Sequence, residues 1–437
     1  MRFKVLGAAL FAAGILGAPA AQAQIEIQWW HSMGGTLGEK LNALATKFNA
    51  SQKEYKVVPV FKGSYPESMT AAIAAFRAGN APHLLQVFEV GTATMMAAKG
   101  AVVPVSKVMA DAKEPFDPKA YLPAVAGYYT DSKGNMLSFP FNSSTVVLYI
   151  NRDAFKKAGL NPDQVPKTWK EMNAAVLQLK VRGQDCVYTS GWPSWMHIEN
   201  LSAWHNVPIG TKENGMAGTD TVFTINSPLH VRHLTMLGDM AKKGLFTYAG
   251  RTNQAEAKFA SGECAMLTSS TGAQGNFRAN AKFDWSVNFI PYHDDVKGAP
   301  QNSIIGGASV WVMTGKKAQD YKGVAKFFTF LSRPEIQMEW HTGTGYVPIT
   351  MAAYDMTRKS GFYDKNPGAD VAVKQLTNKP PTANSKGLRF GNFVQGREVI
   401  EEEMEGVFTG KKDAKTALDD AVSRGNVILR KFEAANK

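Results

Sequence analysis

Residues 139–159 read FPFNSSTVVLYINRDAFKKAG. Two strand-like runs, Phe139-Pro140-Phe141 and Val146 to Ile150, flank a polar patch, Asn142-Ser143-Ser144-Thr145, and a helix is expected from Asp153. β-Branched and aromatic side chains suit a pleated, buried surface, whereas a buried hydroxyl without a partner is costly. The patch is therefore expected to interrupt the sheet where the chain leaves one packed body, crosses open space and enters another. A hydroxyl-rich crossing of this kind is a natural cleft wall.

On the N-terminal side, Gln24 to His31 alternates like a strand. Thr36 and Glu39 have the spacing of a capping box, and Leu37, Leu41, Leu44, Ala45 and Phe48 follow at helical spacing. Strands at Tyr55 to Phe61 and Leu84 to Phe88 alternate with helices at Glu67 to Ala78 and Thr92 to Lys99. That alternation predicts a parallel sheet covered by helices, with ligands beyond the carboxyl ends of the strands. Trp30-His31, Tyr65 and Glu89 fall at or just past such ends. On the C-terminal side, a capping box at Thr168 and Glu171, strands at Asp185 to Ser190 and Cys264 to Thr268, and helices at Ser227 to Lys243 and Asn253 to Ser261 form a second series. The mature chain is long for one domain, and two lobes follow. Further strands are expected at Ser286 to Tyr292 and Ser303 to Met313, the latter broken by Gly306-Gly307, and helices at Tyr321 to Leu331, from Pro334, at Val399 to Phe408 and at Ala414 to Ala435.

Arg2 and Lys4, an apolar run from Val5 to Leu16, and Ala21-Gln22-Ala23 make a cleavable secretory leader, residues 1–23. The run is too short to span a bilayer, and no Cys stands at the cleavage site to carry a lipid. The net charge of +12 comes from scattered Lys and Arg mixed with acids. It reads as a solvated basic surface compatible with anionic ligands, without the basic, aromatic-interleaved run of a nucleic-acid binder. Cys186 and Cys264 could pair in an oxidising compartment or remain buried thiols; spacing does not decide.

The chain carries no P-loop, HExxH or GxSxG motif, so no catalytic residue, metal or cofactor is expected. His230 and His233, without a third ligand nearby, are expected at the surface, as are Asp294-Asp295 and Glu401-Glu402-Glu403. The remaining polar signals suit reversible binding. Gly306-Gly307 offers either a sheet bulge or a close backbone approach to a ligand. Ser144, Ser269 and Ser270 are either donors to an anion or turn and cap residues. Arg397, expected just ahead of a helix, is a phosphate fork or a solvated cation. Trp192, Trp195 and Tyr65 stack on a ligand or fill the core.

Long blocks settle the class. WHSMGGTLGEKL, AFRAGNAPHLLQVFEVGTATMMA, PFNSSTVVLYINRDAFKKAGL, IIGGASVWVM, TGYVPIT and FYDKNPGADVA span nearly all of the mature chain. They resemble the extracellular solute-binding proteins of ABC transporters, in the branch that includes maltose-binding protein, and within it the members that bind sn-glycerol 3-phosphate. The resemblance implies a two-lobe α/β fold of the type II periplasmic binding proteins, each lobe a mostly parallel sheet flanked by helices. It implies lobes over 24–142 plus 290–340 and 143–289 plus 341–437, joined by hinge crossings. It also implies a monomer in the periplasm that delivers sn-glycerol 3-phosphate, or diesters such as glycerophosphocholine, to an inner-membrane ABC permease. Residue by residue it carries ligand contact to Tyr65, Glu89, Ser144, Trp192, Ser270, Gly307, Tyr346 and Arg397. Trp192 would cover the glycerol carbons and Glu89 would accept from glycerol hydroxyls, while Arg397 and the hydroxyls would surround the phosphate. Which of Ser269, Ser270 and Thr271 faces the ligand stays open. A neutral oligosaccharide would use Arg397 and the serines poorly, and a secreted phosphodiesterase lacks its metal and nucleophile motifs.

Overall fold

The computed structural model describes residues 24–131 and 133–437; the expected leader, residues 1–23, lies outside them. Its strands are β1 (Ile25–His31), β2 (Tyr55–Phe61), β3 (Leu84–Phe88), β4 (Val102–Val103), β5 (Phe139–Ser144), β6 (Val146–Asn151), β7 (Cys186–Ser190), β8 (Cys264–Ser270), β9 (Trp285–Asn288) and β10 (Gly306–Met313). They make two sheets, one ordered β2-β1-β3-β10-β4 with β5 on β10, the other β7-β8-β6-β9.

β1 runs parallel to β2 and β3, as the alternating strands and helices require. The rest departs from the expected parallel arrangement. β10 is antiparallel to β3, β4 and β5, and in the second sheet only β7 and β8 are parallel. The cause lies at the crossing. β6 leaves it while β8 runs back toward it, Val146 opposite Ser270, so the two strands must be antiparallel.

The polar patch does not interrupt the first strand. β5 continues through Ser144, and the change of sheet falls at Thr145. The hydroxyls are tolerated because most are paired or open to a cleft. Thr145 Oγ1 donates to Ser303 Oγ at 2.8 Å or Ile304 O at 2.9 Å, so this crossing is clipped to the chain returning from β9 to β10. Thr271 N donates to Thr145 O at 3.0 Å, tying in the end of β8.

Local signals hold unevenly. The Thr168–Glu171 capping box forms, with an unforeseen one at Ser64–Glu67. The Thr36–Glu39 box does not, because the helix Gly35–Ser51 begins one residue before Thr36 and is capped by Gly34 without a side-chain bond. Its apolar face, Leu41, Leu44, Ala45 and Phe48, is buried as the spacing predicts. Cys186 and Cys264 are opposite residues of β7 and β8 and form a disulfide with Cα atoms 4.5 Å apart.

Two surface expectations are overturned. His230 and His233 are fully buried, because the helix Pro228–Lys242 turns that face onto residues 195–204. There, His197 Nδ1 lies 3.0 Å from His233 Nε2, and His233 Nδ1 lies 3.1 Å from His293 Nε2. Burial lowers His197 to about 3 and His293 to about 4 and pushes His233 down as well, so both bonds join neutral rings. Glu401 and Glu403 are likewise buried on the inward face of the helix Phe393–Phe408, and Glu403 is compensated by Lys412 at 2.5 Å and Arg424 at 2.6 Å. Asp294 and Asp295 are exposed as expected.

Candidate functional site

A cleft opens where the two sheets meet. All eight residues singled out from the sequence, Tyr65, Glu89, Ser144, Trp192, Ser270, Gly307, Tyr346 and Arg397, line it. The first sheet presents Glu89 just past the carboxyl end of β3 and Tyr65 at the start of the helix Tyr65–Arg77. The crossing presents Ser144 and Gly307, and the second body presents Trp192, Ser270 and Arg397.

Each position has a local cause. The Tyr65 ring stacks on Phe88, centroids 5.1 Å apart and 6° from parallel. Gln86 Nε2 donates to Asn142 Oδ1 at 2.8 Å, and Asn142 Nδ2 donates to the Tyr65 hydroxyl at 3.0 Å. With that oxygen acting as acceptor, the Tyr65 proton is left for a ligand. Tyr346 stacks on Trp340 at 5.9 Å and 2°. Burial raises the pKa of both hydroxyls, so they remain donors.

Ser144 and Ser143 separate cleanly: Ser144 opens onto the cleft, whereas Ser143 Oγ is buried without a partner among the described residues. The serine choice in β8 resolves as well. Ser269 Oγ is spent on Glu256 and Thr271 is buried, while Ser270 faces the cleft with its oxygen held by Gly272 N at 3.1 Å. Gly307 has φ +84°, and a Cβ there would lie 1.8 Å from Asn142 O. The glycine is required by β5 alone, whatever the cleft holds. The register shift of this strand pair falls one residue later, between Ala308 and Ser309.

Trp192 adopts φ 52°, a left-handed conformation uncommon for a bulky residue and concentrated at functional sites. Its amide is held by Thr252 O at 2.9 Å. A π-helical turn, Trp195–Asn200, follows at once, another feature frequent at sites. It carries Trp195, a stacking candidate from the sequence that lines the cleft, and Glu199, which bonds Arg397 and which the sequence reading did not single out. The one sequence signal near Glu199 was the aromatic density of residues 191–204.

Arg397 departs most from expectation. It lies inside the helix Phe393–Phe408, one turn from its start, rather than ahead of one. Its guanidinium is neither solvated nor free: Nε and Nη2 donate to Glu199 at 2.8 and 2.7 Å, and Nη2 also donates to Glu89 at 2.7 Å. All three side chains are buried. Burial disfavours the arginine charge, but the two carboxylates outweigh it and hold the group protonated. Burial raises Glu89 despite the opposing pull of Arg397. With both acids ionised the trio carries one net negative charge, which is poor company for a phosphate and good company for hydroxyl groups. The Nη1 donors have no partner among the described residues and are left for a ligand.

A model of bacterial extracellular solute-binding proteins matches residues 43–371. The chain is 57% identical to the sn-glycerol-3-phosphate-binding periplasmic protein UgpB of Yersinia enterocolitica over 418 residues, 95% of each protein. Among solved structures it is similar in fold to UgpB of Mycobacterium tuberculosis in complex with glycerophosphocholine, at a TM-score of 0.77 and 21% identity over 93% of this chain and 98% of that one. It is also similar to the GacH receptor of Streptomyces glaucescens, at a TM-score of 0.76 and 18% identity over 94% and 99% of the two chains.

Proposed function

The chain belongs to the bacterial extracellular solute-binding proteins, and from that premise we propose that it captures sn-glycerol 3-phosphate, and glycerophosphodiesters such as glycerophosphocholine, in the cleft between its sheets. In this reading it works as a monomer in the periplasm after loss of residues 1–23 and hands its ligand to a membrane ABC importer. The observation that carries the ligand assignment is the convergence of eight residues, spread from position 65 to position 397, on one cleft.

The electrostatics divide the cleft into two ends. The hydroxyl groups of Ser144, Ser270, Tyr65 and Tyr346 and the Gly307 backbone form the phosphate end. Charge-assisted hydrogen bonds of this kind contribute roughly 1.5–3 kcal/mol each before the costs of ordering. Glu89 and the free Nη1 of Arg397 form the glycerol end, one accepting from hydroxyl groups and the other donating to them. Trp192 covers the carbon face. Arg397 thus acts on the phosphate at most from a distance, a revision of its sequence-based role. Ligand contacts drawn from both bodies favour lobe closure, since a ligand shifts a conformational equilibrium only through such differential contacts.

Calorimetric titration of residues 24–437 with sn-glycerol 3-phosphate, glycerophosphocholine and maltose, with analysis of the recovered ligand, tests this. Saturable binding of the phosphate ligands without turnover is expected. Heat from maltose alone would overturn the assignment, and hydrolysis of the diester would replace a binding role with an enzymatic one.

A further inference from the structure

Glu256, on the helix Gln254–Ala260, lines the cleft beside Ser270, Gly272 and Tyr346, and the proposed ligand contacts do not use it. One oxygen, Oε1, accepts from Ser269 Oγ at 2.8 Å. The other, Oε2, has no hydrogen-bond partner among the described residues, and no cation forms an ion pair with the group there. The contrast with Glu89 is sharp, because Glu89 shares Arg397 with Glu199. The titratable and charged groups that face Glu256 are Tyr149 from β6 and Tyr346 after the helix Pro334–Thr344, with Arg278 of the helix Gln274–Asn280 beyond Tyr149. Glu89 and Arg397 stand elsewhere in the same cleft. Tyr149 donates to Ser270 O at 2.7 Å, and Arg278 is spent on Thr342 O and Gln274 Oε1.

A carboxylate without a cation, facing a cleft that receives an anion, is an electrostatic liability unless it becomes neutral. Burial already lifts Glu256 to about 7, the Ser269 bond opposing. A phosphate brought against it must lift it further. We propose that Glu256 is a ligand-contacting residue that takes one proton from solvent as an anionic ligand enters and then donates a hydrogen bond from that carboxyl to a phosphate oxygen. The inference rests on the phosphate-ligand reading above. It makes Glu256 a determinant of specificity, because a monoester dianion needs the neutral carboxyl more than a diester monoanion does.

The test is calorimetry of glycerophosphocholine binding in buffers of different ionisation enthalpy. The diester is the clean probe: its charges are fixed near neutrality, whereas a phosphomonoester titrates near pKa 6. Above about pH 7, wild-type protein should take up close to one proton per ligand bound, and affinity should fall with rising pH by at most about tenfold per unit. Glu256→Gln keeps the shape and a donor, and should abolish both the uptake and the pH dependence while binding at least as well at about pH 8.5. Binding with no proton uptake in the wild type overturns the proposal, a result that needs no variant to fold. Equal weakening by Glu256→Gln at every pH also overturns it, since the carboxylate would then act in its ionised form. Absence of any binding of either phosphate ligand would instead remove the functional reading beneath it.

Discussion

Replacing Arg397 by Met, a change that keeps the bulk of the side chain, removes three charge-assisted bonds of 2.7–2.8 Å and strands Glu89 and Glu199. Breaking a buried ion pair from one side costs about 3–5 kcal/mol, most of it the cost of the uncompensated charge. At roughly 2–4 °C per kcal/mol for bodies of this size, the Tm should fall by roughly 6–20 °C at about pH 8. Without the guanidinium, burial of the stranded carboxylates is unopposed and favours their neutral forms, so the folded variant can escape part of the penalty by binding protons. The folded variant then binds more protons than the unfolded chain, so its stability is lost as pH rises. The deficit relative to wild type should therefore shrink toward about pH 5, by up to about 1.4 kcal/mol per unit per carboxylate. Urea denaturation of both proteins at several pH values reads this directly, and the difference cancels titrations common to the two. A Tm change below about 2 °C, or a deficit independent of pH, would show that the buried trio does not hold the site together.

Three other outcomes follow from the same geometry. Gly307→Ala places a methyl 1.8 Å from Asn142 O at φ +84°, so it should displace β5 from β10 and lower both thermal stability and affinity, which unfolding curves and titration would register. Trp192→Ala removes an aromatic face and relieves a left-handed backbone of φ 52° only in part; affinity for sn-glycerol 3-phosphate should drop roughly tenfold or more with little change in Tm. The buried His197 and His230, lowered to about 3, and His31, His205 and His341, lowered to about 4, resist protonation only while folded. Their folded pKa values are depressed, so stability present above about pH 6.5 is lost as pH falls toward 4, by about 1.4 kcal/mol per unit per histidine, and the urea midpoint should drop steeply below pH 6.

The strands β1 to β3 and their helices were legible because alternating and helical apolar periods act over a few residues, and the Thr168–Glu171 box is equally local. What failed was set by distant partners. Arg397 meets Glu199 and Glu89 across 198 and 308 residues of chain, so nothing near Gly396 announces a buried trio. His230 and His233 are three apart on a helix, which shows that they share a face but not that His197 and His293 wait opposite it. Thr36 lost its cap because the helix began one residue early, at Gly35. The eight cleft residues were individually weak signals, and family resemblance gathered them. Glu256 had neither a local signal nor a place in that pattern.

A crystal structure of the protein with sn-glycerol 3-phosphate tests the central claim most directly. The phosphate should lie against Ser144, Ser270 and Gly307, with the glycerol between Trp192 and the Glu89–Arg397 pair. Phosphate paired directly with an Arg397 released from Glu199, or ligand bound outside the cleft, would contradict it.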